Sequence, residues 1–113
     1  MEFACKVAGA KVVVVMAHTS CGAVKGAIDE AKLDHLTGLL EKIRPAVEAT
    51  TFQGDRSSKN PAYVDPVALK NVELTINSIR ENSAVLRELE SAKAIKIAGS
   101  LYNLETGTVE FFV

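Results

Sequence analysis

His18 and Cys21, in the run Ala17-His18-Thr19-Ser20-Cys21-Gly22, have the side chains and the spacing for metal chemistry. A His-x-x-Cys step across a turn brings an imidazole nitrogen and a thiolate to one point. Zinc accepts both donor types, at about 2.0–2.3 Å. A helix start after the turn offers exposed amides, which favour a thiolate. Gly22 removes bulk beside the sulfur and leaves its own amide free to meet a bound oxygen. Other readings of the same residues stand beside this one. A redox role for Cys21 lacks the Cys-x-x-Cys pairing such sites use. A nucleophilic Cys21 with His18 as base needs a hydrogen bond that this spacing does not guarantee. A His and a Cys at a strand end also serve simply as packing residues.

These residues need elements to position them. Lys11 to Met16 is an almost continuous β-branched run, the type of a parallel strand covered by helices. Sites in open α/β sheets form outside the carboxyl ends of such strands, which puts His18 on the loop and Cys21 at a helix start. Thr19 and Ser20 are expected to cap a helix over about 21–31. Leu33 to Ala49 reads as a helix, with Leu36, Leu39, Leu40, Ile43 and Val47 on its buried side. Pro45 is expected to kink or end it. Thr50 to Asn60 reads as a polar surface loop, with Asp55-Arg56 as solvated surface. Val64 to Asn82 reads as a long helix, with Asp65 as cap, Pro66 in its first turn, and Val67, Val72, Leu74, Ile76 and Ile79 buried. Ser83 suits the cap of a shorter helix over Val85, Leu86 and Leu89. Residues 94–99 and 108–113 read as strands about a turn at 103–107, close enough for an antiparallel hairpin. The first residues read as a helix without an N-cap, stopped near Gly9. Strands separated by helices give an α/β fold class.

The length of 113 residues fits one domain over 1–113. A net charge of -1 with 24% charged residues gives no basic surface for nucleic acid or an anionic membrane. The longest apolar run, Val12 to Ala17, is far too short to span a bilayer. No basic stretch followed by an export-signal segment opens the chain, so the expected location is cytoplasmic; a targeting segment lost with an earlier N-terminus would change that. In that reducing setting Cys5 and Cys21 are expected as thiols or ligands, not as a disulfide. Cys5 reads as a core thiol, and His35 as an exposed helix residue.

The segment Glu2 to Ile28 closely resembles the β-class carbonic anhydrases. Their signature, Gly/His-Thr-Ser/Asp-Cys-Gly-Ala/Gly, stands here as Ala17 to Ala23. Ile97 to Phe111 resembles the same family, as does the helical segment Asn71 to Ile76. The resemblance implies a β-carbonic-anhydrase-like sheet of about three strands, two parallel plus a C-terminal antiparallel strand, covered by helices. It implies that His18 and Cys21 are zinc ligands and that the Gly22 backbone amide faces substrate. It implies reversible hydration of carbon dioxide to bicarbonate.

The family draws its first zinc ligand and an Asp–Arg pair from an earlier Cys-x-Asp-x-Arg motif, which this sequence does not contain. The family's N-terminal helices and first strands have no counterpart here either. The chain is therefore expected to be incomplete at its N-terminus, and a weak or inactive hydratase alone. The alternative is a shortened, inactive homologue, zinc-binding or purely structural, that self-associates; completion by a separate polypeptide is a third reading. Strand 11–16 and its neighbouring apolar surface would lack their flanking elements, so a homodimer or higher oligomer is expected. Such a dimer could form a His2Cys2 site holding one zinc per two chains.

Overall fold

The computed structural model describes residues 1–112; Val113, the end of the expected third strand, lies outside the described residues. The elements run α1 Glu2–Lys6, β1 Val12–His18, α2 Gly22–Ile28, α3 Asp34–Ala49, α4 Pro61–Asn82, α5 Ala84–Ser91, β2 Lys96–Tyr102 and β3 Val109–Phe111. The sheet order is β1-β2-β3. β1 and β2 pair in parallel from Val12↔Lys96 to His18↔Tyr102. β3 returns antiparallel on β2, with Ser100 opposite Phe111. This is the expected α/β architecture, two parallel strands plus a C-terminal antiparallel one.

Val13, Val15 and Ala17 pack on a core of Val72 and Ile76 from α4, Leu86 from α5, and Ile95 and Ile97. The alternate residues of β1 have no such cover: Val12 is 53% exposed, Val14 44% and Met16 52%. On β3, Phe111 is also 61% exposed. Register puts Met16 and Phe111 on this same face, on either side of Ser100, which is itself fully buried. Helices thus cover one face of the sheet, and among the described residues β1 is an edge strand with its outer side unpaired.

A second core joins Val24 and Ala27 of α2, Leu40, Ile43 and Ala46 of α3, and Tyr63, Val64, Val67 and Ala68 of α4. The Leu-rich stripe of α3 is only partly buried, because Leu36 and Leu39 are exposed. That helix continues through Pro45 to Ala49 instead of ending there. α4 begins earlier than expected. Its cap is Asn60, whose side chain accepts from the Ala62 amide at 3.2 Å, and Pro61 supplies a preset first-turn φ. Asp65 is not the cap. The 50–60 loop is also less free than its composition suggests. The Arg56 guanidinium lies 5.0 Å from the centre of the Tyr63 ring and donates to the Thr50 carbonyl.

Ser83 caps α5 as its sequence position suggested, accepting from the Leu86 amide at 3.2 Å. The same hydroxyl donates to the Glu2 carboxylate and so fastens α1 to α5.

Candidate metal centre

β1 extends two residues beyond its expected end, so His18 is the last residue of the strand and not part of a loop. Its ring is anchored locally. Nδ1 lies 2.8 Å from the Thr19 carbonyl oxygen. A carbonyl only accepts, so Nδ1 is the donor, and in the neutral ring Nε2 is then the nitrogen with a lone pair to offer. His18 is exposed, so Nε2 is reachable from solvent.

The chain then reverses through Ser20, whose φ of 54° is left-handed. A non-glycine residue there costs about 1 kcal/mol, so neighbours must hold it. Two sets of hydrogen bonds do so. The Thr19 amide donates to the Tyr102 carbonyl at 3.0 Å, and the Thr19 hydroxyl oxygen accepts from the Leu104 amide at 3.0 Å. On the other flank the Ser20 amide donates to Asp65 Oδ1 at 3.1 Å. Leu104 is itself presented by a hairpin turn. In that turn the Gly107 amide, at φ +74°, donates to the Asn103 carbonyl, and Asn103 Oδ1 accepts from the Glu105 amide.

Thr19 and Ser20 were expected to cap α2, but no side chain does so. Cys21 is itself the N-cap residue, in an extended conformation. The Thr19 hydroxyl is committed to the hairpin instead. Cys21 is half-buried and packs on the α2–α3–α4 core. Gly22 opens α2; a Cβ there would meet no further atom within 4 Å. The two candidate ligands therefore flank one strapped turn, with the Gly22 backbone next to it.

Other sequence candidates lie elsewhere. Cys5 is 7% exposed and belongs to the core of Val72, Ile76 and Leu86, a different cluster from the one Cys21 packs on. Both cysteines are free thiols. The His35 side chain is fully exposed. Among the described residues, no three His, Cys, Asp or Glu side chains are grouped to hold a metal ion. The participant that sequence reading missed is Asp65. Its only sequence signal is an Asp-Pro pair inside a strong helical pattern.

The family model described as carbonic anhydrase matches residues 1–109. The chain is similar to a carbonic anhydrase of Mycolicibacterium smegmatis, 28% identical, over 97% of this chain and 53% of that protein. It is similar to one of Pseudomonas aeruginosa, 26% identical, over 97% of this chain and 50% of that protein. The chain thus spans about half the length of the curated relatives it matches. Among solved structures, the β-carbonic anhydrase CafA of Aspergillus fumigatus superposes with a TM-score of 0.80 at 21% identity, over 98% of this chain and 52% of that one. A structure from the work on two tetrameric β-carbonic anhydrases of Sordaria macrospora gives 0.78 at 20%, over 98% and 56%. With its sheet, its strapped His-x-x-Cys turn and a family match over nearly its full length, the chain belongs to the β-carbonic anhydrase family.

Proposed function

We propose that His18 and Cys21 are two zinc ligands of a carbon dioxide hydratase site, and that the Gly22 amide faces the substrate oxygen. The observation that carries this is the His18 ring, fixed through Nδ1 with Nε2 left to bind. That is the arrangement a metal-binding histidine needs, because the second nitrogen sets both tautomer and orientation. The donor set of one imidazole and one thiolate suits zinc. Zinc, when bound, acidifies water so that hydroxide is available near neutral pH, as in carbonic anhydrases generally. The chain's own contribution is to hold the two ligands on one strapped turn and to offer an amide at the start of α2 for the oxygen of carbon dioxide or bicarbonate.

Two protein ligands leave a tetrahedral ion two short. The reading for this chain alone is therefore zinc binding with weak or no hydratase turnover. Stopped-flow carbon dioxide hydration with added zinc tests it. A rate above that of buffer and zinc alone, lost in Cys21→Ser, supports a hydratase. A rate equal to buffer retires turnover for this chain and leaves the second reading, a non-catalytic zinc-binding relative.

Self-association is part of the proposal, supported by the open apolar face and the unpaired edge of β1. Its two forms exclude each other. Antiparallel pairing of β1 with a second copy, centred on Val15, separates the two His18 residues by about 20 Å at the usual strand rise. A shared His2Cys2 zinc needs the two-fold axis beside His18 instead. Zinc analysis of the purified chain separates them: one metal per two chains supports sharing, and one per chain excludes it. A cytoplasmic setting accords with the two free thiols.

A further inference from the structure

We propose that Asp65 is a positioning residue for the metal turn, holding Ser20 in its left-handed conformation and so fixing the turn that joins His18 to Cys21. The proposal rests on the zinc reading above for its ligand, but its geometry stands on its own. Asp65 lies 45 residues along the chain from Ser20, and its Oδ1 accepts the Ser20 amide at 3.1 Å. Ser20 is the residue on which the direction from β1 into α2 depends, at φ 54°. The Thr19 flank of the turn is tied to Tyr102 and Leu104, so Asp65 supplies the tie on the other flank.

The cost in α4 points the same way. Aspartate is a poor residue for a helix interior, and Pro66 after it removes the amide that would bond the Ala62 carbonyl. Asn60 already caps the helix, so Asp65 has no capping role to justify that cost. A local rule broken without a local gain is expected where another part of the molecule needs the residue. Asp65 does not join His18 and Cys21 as a third ligand in this geometry, since no such group of three exists among the described residues. It acts through the Ser20 backbone.

The test uses the whole chain, zinc alone as probe, and competition with a chromophoric chelator. Asp65→Ala should weaken zinc binding by about 10-fold or more, the usual effect of losing an outer-shell partner. Asp65→Asn keeps an acceptor oxygen and should recover most of that loss. In metal-free protein, hydrogen exchange at the Ser20 amide should be faster in Asp65→Ala and near wild type in Asp65→Asn. Unchanged affinity and exchange in Asp65→Ala would overturn the proposal, as would an Asn variant as weak as the Ala variant. If Cys21→Ser binds zinc like wild type, the zinc reading itself fails. Ser20 exchange then decides the positioning role alone, unchanged exchange overturning it and faster exchange upholding it.

Discussion

At the scale of single residues, the His18 ring is the most informative group. Its own backbone neighbour, the Thr19 carbonyl, fixes its tautomer, so the free nitrogen is a property of local chain geometry. Such an arrangement is legible in sequence only as spacing: His, two residues, Cys, on a turn after a strand. Asp65 was not legible, because a hydrogen bond between residues 65 and 20 exists only after α4 has docked. In sequence an aspartate before a proline looks like a helix cap, and Asn60 holds that role. Two predictions belong here. Cys21→Ser should lower zinc content measured by atomic absorption while leaving far-UV circular dichroism unchanged; equal zinc content would remove Cys21 from the site. Gly22→Ala meets open space at the start of α2, so it should leave stability unchanged or raise it by up to about 1 kcal/mol in urea unfolding. A clear loss would mean that the glycine has a steric role this geometry lacks.

At the scale of elements, apolar periodicity carried most of the fold. Val67, Val72 and Ile76 are buried in α4 as their spacing implies, and Leu40 and Ile43 are buried in α3. What periodicity could not supply was the neighbour. Leu36 and Leu39 continue the stripe of α3 yet remain exposed, because nothing among the described residues packs over them. Ile76→Ala, at a site 1% exposed, should cost about 2–5 kcal/mol in urea unfolding. A cost under 1 kcal/mol would show that the α4–sheet core is less tightly packed than described. The α4–α5 corner is closed by Arg80 and Glu90, paired at 2.9 and 2.7 Å. The hydrogen bonds from Arg80, with its charge, hold the Glu90 carboxyl below its ordinary value, against the opposing effect of burial. A lowered folded value means stability that is present above the unfolded pKa and lost as pH falls through the folded one. Removing the pair with Glu90→Gln should cost up to about 1 kcal/mol at pH 7 for a partly exposed pair, and that cost should vanish in acid, below the ordinary glutamate range. A cost that persists unchanged at pH 3 would assign the effect to packing.

At the scale of the whole molecule, the sheet is finished on one side and open on the other. Val12, Val14, Met16 and Phe111 form an exposed apolar face, and among the described residues β1 has unpaired backbone along its outer edge. The β-branched run was legible as a strand apolar on both faces. Which face helices cover depended on where α4 packs, and that is a tertiary fact. Met16→Lys should shift the chain toward monomer in sedimentation velocity while leaving its zinc affinity intact; an unchanged distribution would exclude this face as the association surface. The zinc proposal requires that His18 and Cys21 both bind the metal. Zinc-edge X-ray absorption on the zinc-loaded chain tests it most directly. The expected result is a sulfur scatterer at about 2.3 Å together with nitrogen at about 2.0–2.1 Å, the sulfur being lost in Cys21→Ser and the nitrogen shell diminished in His18→Ala. A shell of nitrogen and oxygen alone, identical in wild type and Cys21→Ser, would contradict it.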